Sequence, residues 1–356
     1  MRGSGDGGGS TSVLVLEYVT GGGLAGRDLP PSWAAEGSAM RRAVVDDFAA
    51  VPGVRVVTTR DARLPPDGER PGVTVRIITD CDPVALPALA AGADWTVPIA
   101  PETGGLLADL TRAIGRAGGR SLGSEAGAIA TVADKGRLAA LFRARAIPTP
   151  PTRTVVPSRG LPIEWDGPII LKPIDGAGSL DTFVIRSAGI GPGVPDPSRA
   201  MLAQPFRPGT PMSASFLVDQ YGRATLLAVG RQRVEVDPAG RLTYRGGTVP
   251  DPTPVDGAAV ARAVLSVPGL RGFVGVDFLA GPRGDVEVLE INPRPTTSYV
   301  GLARLLPPGT IAGAWLAAAA GGLDGTGWPG RLRPARMAKP VTFAADGSIG
   351  GPGWTP

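Results

Sequence analysis

Between Phe273 and Asn292 the chain reads FVGVDFLAGPRGDVEVLEIN, two short apolar runs joined by Gly281-Pro282-Arg283-Gly284-Asp285. Paired runs around a Gly/Pro loop predict a hairpin, and this one carries polar groups where core residues belong. Asp277 interrupts the first run, while Glu290 and Asn292 close the second, and strand alternation puts Glu290 and Asn292 on one face. Buried carboxylates without partners are costly. The face must therefore line a cleft or hold cations, with a solvated or salt-bridged face as the plain alternative. Hard oxygen donors of this kind suit magnesium, which is commonly shared between protein carboxylates and substrate phosphates. Asn292-Pro293-Arg294-Pro295 then leaves the strand extended, because each proline disfavours helix in the residue before it. Arg294 is thereby kept at the same end.

The rest of the composition narrows the chemistry. There is no histidine among the 356 residues, which excludes Ser-His-Asp and Cys-His catalysis, imidazole acid–base work and His-ligated metals. Cys81 is the single cysteine, so an internal disulfide is impossible, and a small buried apolar role is expected for it. Of the 36 basic residues, 33 are arginine and only Lys135, Lys172 and Lys339 are lysine. Generic positive charge is thus written as arginine, and a retained lysine suggests a compact ammonium that reaches a phosphate. Lys339, in the C-terminal segment, shows that the inference does not hold for every lysine. The net charge of +4 is spread along the chain and aromatic residues are few, which favours anionic small molecules over nucleic acid. No apolar run approaches a membrane span, and a cytoplasmic protein is expected.

Along the chain, the Gly/Ser-rich residues 1–12 are expected to be disordered. Val13 to Leu16 predicts a buried strand running through Glu17 into Thr20-Gly21-Gly22-Gly23, whose spacing is not that of a dinucleotide fingerprint. The glycines are expected to permit a tight turn or close backbone approach, with Glu17 beside a substrate. A helix over 32–50, N-capped by Ser32, strands over 54–58, 73–79 and 95–100, and a helix over 106–115 predict an open parallel sheet. Asp80 and Asp82 stand where such sheets place ligands, although an Asp before a proline is often only a cap. Glu102, in PETGG, is a candidate substrate contact. A helix over 125–144 carries Asp134-Lys135 and ends at Ile147-Pro148-Thr149-Pro150-Pro151. The strand PIILKP, with Lys172 near its end, precedes Asp175-Gly176-Ala177-Gly178-Ser179, a loop small enough to wrap phosphates with backbone N–H groups. Strands over 213–218 and 224–236 follow. Arg231 and Arg233 alternate on one face of the second and could bind a substrate carboxylate, an exposed strand edge being the equal alternative. The short apolar helix 311–320 is expected to pack rather than span a membrane.

The order of these motifs resembles the ATP-grasp superfamily. The resemblance rests on GVD at 275–277 followed thirteen positions after Asp277 by EINPR at 290–294, on DK, helix and IPTP, and on ILKP followed by DGAGS. The longer string EINPRPTTSYVGL, with LEYVTGGGLAG and APETGG, is similar to one branch, the ligases that join glutamate to tyramine or tyrosine in methanofuran synthesis. It covers roughly residues 13–320. It implies an α/β (α+β) protein with a Rossmann-like domain at 13–118, a small grasp subdomain with a central lid at 119–200, a second subdomain with the metal site at 201–320, and a Pro/Gly-rich tail at 321–356.

It also implies ATP held by Lys135 and Lys172, by Gly176, Gly178 and Ser179 of the loop, and by Gln204 and Phe206 at the adenine. Gln204 stands where many such enzymes have glutamate. Two magnesium ions, or manganese, would sit on Asp277, Glu290 and Asn292. Arg294 would stabilise an acyl phosphate or oxyanion, and Ser298, at a helix start capped by Thr297 to Tyr299, would help hold the acceptor. The implied reaction joins an amino acid and an amine through an acyl phosphate. Another amino-acid or polyglutamate ligase, or a nucleotide-binding regulator without turnover, is the alternative. No nucleic acid or membrane partner is expected, and a homodimer is left open.

Overall fold

The computed structural model describes residues 10–350 except 83, 162–163, 177–180, 187–195, 325 and 333–338. Its first unit runs β1 (Thr11–Glu17), α1 (Pro31–Ala49), β2 (Val54–Asp61), β3 (Val73–Ile78), the single turn α2 (Ala85–Ala88), β4 (Trp95–Ile99) and α3 (Leu106–Arg116). The strands form a parallel sheet in the order β3-β2-β1-β4. Central β1 is covered on both faces, as parallel strands usually are. Val13 and Val15 pack with Met40, Val44 and Phe48 of α1. Leu14 and Leu16 pack with Leu107, Leu110 and Ile114 of α3.

Two local expectations are corrected here and one open alternative is decided. The first strand begins at Thr11, inside the stretch expected to be disordered, because Thr11 N donates to Gly53 O at 2.9 Å and Ser12 N to Asp94 Oδ2 at 2.7 Å. Helix α1 starts at Pro31 behind Pro30, and Ser32 is within its first turn rather than at its cap; proline suits this position because the first N–H groups of a helix have no partner anyway. Asp82 caps the chain after β3, its Oδ1 accepting from Val84 N at 2.7 Å and Ala85 N at 3.1 Å. At the turn after β1, a Cβ on Gly21 would meet Thr59 Oγ1 at 2.5 Å and Gly22 has φ +103°, so close approach and a tight turn both operate there.

The helix expected over 125–144 is two, α4 (Ala126–Ala133) and α5 (Lys135–Ala144). Asp134 breaks it with ψ 96° and caps α5, its Oδ1 accepting from Arg137 N at 2.9 Å. Lys135 therefore opens a helix. A small antiparallel sheet follows, built from β5 (Arg153–Val155), β6 (Ile169–Pro173), β7 (Phe183–Ile185) and β8 (Met201–Pro205) in the order β5-β8-β6-β7. The expected boundary at 200 falls before β8, yet β8 pairs with both β5 and β6. The small unit thus extends through Pro205.

The second antiparallel sheet has six strands in the order β13-β12-β9-β10-β11-β14: β9 (Thr210–Val218), β10 (Ala224–Val236), β11 (Leu242–Val249), β12 (Gly272–Ala280), β13 (Val286–Asn292) and β14 (Val341–Ala344). Helix α6 (Gly257–Leu265) packs on it with α4 and α5 through one apolar cluster. Strand β14 comes from the Pro/Gly-rich segment 321–356 and pairs with Gly246 to Val249 of β11. Helices α7 (Ser298–Leu305) and α8 (Thr310–Ala320) share a core with β1 and α1. Asp47 of α1 fastens that junction, accepting from Tyr299 Oη at 2.7 Å, Gly309 N at 2.7 Å and Ala312 N at 2.8 Å. Among the described residues no helix is long and apolar enough to cross a membrane.

Candidate active site

A cleft of about 350 Å³ opens between the small sheet and the six-stranded sheet. Ile170, Val234, Val236, Leu242, Leu279 and Leu289 give it apolar walls that suit a flat ring. Its polar end is assembled from distant segments. Asp277 of β12 lies opposite Glu290 of β13 in the ladder, and a bulge immediately after this pair leaves Leu289 without a partner. Opposed residues point to one side of a sheet, and the bulge turns both Leu289 and Glu290 into the cleft. Asp277 accepts from Gln232 Nε2 at 2.8 Å and from Asn292 Nδ2 at 3.1 Å. Across from them, Lys135 Nζ lies 3.2 Å from Glu290 Oε2 and donates to Gly176 O at 2.6 Å. Lys172, on β6, is buried in the same wall.

The charges set one another. Burial pushes the Lys172 ammonium down to about 8, with Glu290 resisting, Lys135 adding to the fall and Asp277 opposing it. Burial, then the neighbouring Glu290 charge, holds the Asp277 carboxyl well above the usual range. Burial acts the same way on Glu290, but Lys135 and Lys172 outweigh it and keep that carboxyl low. Two carboxylates and an amide oxygen form a hard donor set, and the raised Asp277 marks excess negative charge that a divalent cation would neutralise. The residues fit a magnesium site. Arg294 leaves β13 into the same wall and meets Glu102, with Nη2 donating to Oε2 at 3.0 Å and Nε lying 2.9 Å from Oε1. Burial opposes its charge, but Glu102 above all, then Glu36 and Glu290, hold the guanidinium firmly protonated.

Two family models match consecutive stretches of the chain, a pre ATP-grasp 3 domain over residues 54–129 and an ATP-grasp domain over residues 132–298. The chain belongs to the ATP-grasp superfamily. A tyramine–L-glutamate ligase from Methanocaldococcus fervens is 28% identical over 212 residues, which cover 59% of this chain and 61% of that protein. An ATP-grasp superfamily protein from Archaeoglobus fulgidus superimposes with a TM-score of 0.66 at 23% identity, covering 94% of this chain and 92% of that one. The L-amino acid ligase from Bacillus licheniformis gives 0.67 at 12% identity, over 93% and 79% of the two chains. At these identities the two superpositions speak to the fold. The ATP-grasp fold accounts for a cleft between two antiparallel sheets.

The cleft brings together Lys135, Lys172, Gly176, Gln204, Phe206, Asp277, Glu290, Asn292, Arg294 and Ser298 of the residues singled out in the sequence. Gly178 and Ser179 lie outside the described residues. Gln204 is fixed by Nε2 donating to Thr152 Oγ1 at 2.7 Å. Ser298 exchanges hydrogen bonds with Thr296 Oγ1 at 2.7 Å and Ser215 Oγ at 3.1 Å, while Thr297 makes no side-chain cap. Lys339 is exposed, away from the cleft.

Three substrate expectations change. Glu17 is not in the cleft wall: its carboxylate closes its own turn, accepting from Val19 N, Thr20 N and Thr20 Oγ1. Glu102 reaches the cleft only through Arg294. Arg231 and Arg233 face away, Arg231 holding Asp251 at 2.8 Å, because alternation turns Gln232, Val234 and Val236 inward instead. That phase was readable, since positions 231, 233 and 235 are all charged whereas 234 and 236 are valine. The sequence reading also passed over Glu36 and Tyr244, which line the cleft.

Proposed function

We propose that the chain is an ATP-dependent, ADP-forming carboxylate–amine ligase, and that it joins L-glutamate through its γ-carboxylate to tyramine or tyrosine. The observation that carries the class is Lys135, whose ammonium touches both Gly176 O and Glu290 Oε2 and so ties the phosphate-side loop to the carboxylate pair in one cleft. The similarity to a tyramine–L-glutamate ligase over 61% of that protein's length supports the substrate pair.

In this reading the apolar walls and the polar edge at Gln204 and Phe206 take the adenine. Lys135 and Lys172 hold the triphosphate, each as a point charge on a flexible stem. Asp277 and Glu290, with Asn292 beside them, would hold magnesium, or manganese, which when bound neutralises charge on the transferring phosphoryl group. The donor carboxylate attacks the γ-phosphorus and displaces ADP; the amine, its ammonium having given one proton to water, then attacks the acyl carbon, expels phosphate and passes its second N–H proton to it. In the same reading Arg294, held by Glu102, would offer a preorganised donor to the negative charge that grows on the acyl oxygen.

The test is ADP release from Mg-ATP and L-glutamate, with and without tyramine or tyrosine, beside the Asp277→Ala, Glu290→Ala double variant. Amine-dependent release that disappears in the variant is expected. Release that needs neither amine, or that survives the double substitution, would sink the assignment.

A further inference from the structure

Glu36 lies on the first turns of α1 and lines the cleft with Arg294, Thr296 and Ser298. Its position depends on the next residue. A Cβ on Gly37 would sit 2.9 Å from Glu17 Oε2, so glycine lets α1 close over the buried Glu17 turn and carries residue 36 to the cleft. Among the described residues Glu36 makes no hydrogen bond or ion pair. The other carboxylates of this corner are engaged: Glu17 by its own turn, Glu102 by Arg294.

A second observation points to a ligand here. Arg294, only 8% exposed, is committed to Glu102, its Nε lying 2.9 Å from Oε1 without the alignment of a hydrogen bond, so its charge reaches Glu36 without a direct contact. The corner therefore joins a guanidinium already paired with Glu102 to a second carboxylate, Glu36, that feels its charge but makes no hydrogen bond or ion pair with it, both at the cleft wall. Glu102, Glu36 and Glu290 all act on the one Arg294 guanidinium, while the cation near Glu17 is Arg41. A half-enclosed carboxylate whose nearest guanidinium is already paired with Glu102 is under-compensated, and its complement is a cation supplied by what binds. Burial raises the Glu36 carboxyl above its usual range, Arg294 resists this, and Glu17 and Glu102 add to it; a bound cation would oppose the rise.

We propose that Glu36 is the specificity residue that receives a substrate ammonium beside Arg294. The inference rests on the amide-forming reading above, in which the organic cations available are the acceptor amine and the α-ammonium of the amino-acid donor. Both share one chemistry, a primary ammonium. Lys135 and Lys172 stand at the carboxylate pair, whereas Glu36 lines the cleft beside Arg294, so it orients the substrate rather than the nucleotide.

The experiment uses the full chain with Glu36→Gln and Glu36→Asp, and two matched ligand pairs: tyramine with its neutral alcohol analogue, and L-glutamate with glutarate. In steady state Glu36→Gln raises KM for one ammonium-bearing substrate by about tenfold to a hundredfold. KM for ATP stays constant, and Glu36→Asp recovers part of the loss. Calorimetric titration in the presence of a non-hydrolysable ATP analogue reads binding without turnover. A Glu36-dependent preference for tyramine over its alcohol supports the proposal and assigns the acceptor; a preference for L-glutamate over glutarate supports it and assigns the donor. If no amine supports turnover, the ligase reading fails, while the titration still judges Glu36. Wild-type protein that fails to favour the ammonium form of either pair, or Glu36→Gln that binds every ligand as wild type does, overturns the proposal.

Discussion

Removing the Arg294 side chain separates a group that acts in the cleft from one that merely holds it together. Arg294 and Glu102 meet at 2.9 and 3.0 Å with side chains 8% and 4% exposed, and they connect the unit built on β1 to the end of β13. Arg294→Met strands a buried carboxylate near Glu36 and Glu17. Breaking one side of such a pair costs roughly 3–5 kcal/mol, a fall in Tm on the order of 10 °C for a chain of this size. Glu102→Gln, which strands the guanidinium instead, falls in the same range. The double variant Arg294→Met, Glu102→Gln removes both charges of the pair, leaving only half-buried Glu36 without its guanidinium, and recovers most of the loss, since a buried ion pair is close to break-even against neutral residues. Urea unfolding of the four proteins should thus give a coupling energy of about 2 kcal/mol or more. Strictly additive losses would refute the buried-pair argument. ADP formation supplies the second readout: the stabilised double variant stays roughly a hundredfold below wild type, because one preorganised donor to the developing charge is gone. If turnover returns together with stability, Arg294 is a strut and the oxyanion role falls.

Three further outcomes are expected. Because burial lowers Lys172 to about 8, nucleotide binding above that pH must take up a proton, so affinity measured by calorimetry falls between pH 7 and 9; Lys172→Arg, which stays charged, flattens the profile, and a flat wild-type profile would count against the shift. The same group acts on folding with the opposite sign, since the unfolded chain keeps the proton up to about 10.5, and its contribution to stability rises between about pH 8 and 10.5. Asp277→Asn removes a carboxyl whose ionised form burial and Glu290 disfavour; Tm at pH 7 holds or rises while ADP formation falls about a hundredfold or more, and a lowered Tm contradicts the electrostatic account. Tyr299→Phe removes one of the three hydrogen bonds to Asp47 and lowers stability by about 1.5–3 kcal/mol with nucleotide affinity unchanged, so an unaltered unfolding midpoint would show that the junction does not depend on it.

What could be read from the chain shares one property: its signal is local. The hairpin declared itself because two apolar runs and a Gly/Pro loop lie within twenty residues of Asp277 and Asn292. Lys135 and Lys172 stood out because lysine is scarce in an arginine-rich chain, and both reach the cleft. The buried run at Val13 to Leu16 marked the central strand of a parallel sheet. Even the break at Asp134 had a local cause, the capping carboxylate that opens α5, but an apolar pattern continuous across it concealed the change of direction.

The features that escaped are fixed by contacts far apart in sequence. Arg294 and Glu102 are 192 positions apart, and Tyr299 and Asp47 are 252 apart, so neither pair leaves a spacing signature. Arg231 and Arg233 failed for a different reason. A strand has two faces, and chemistry alone suggested the arginine face, while the valines at 234 and 236 determined which face was inside. An alternation in which the charged set is continuous and the polar member of the other set is a single amide says that the amide, Gln232, is the residue aimed at the site. Glu36 follows the same logic on a helix. Its neighbours Gly37 and Met40 pack inward, and only the approach of α1 to Glu17, allowed by a missing Cβ, turns an ordinary surface glutamate into part of the cleft wall.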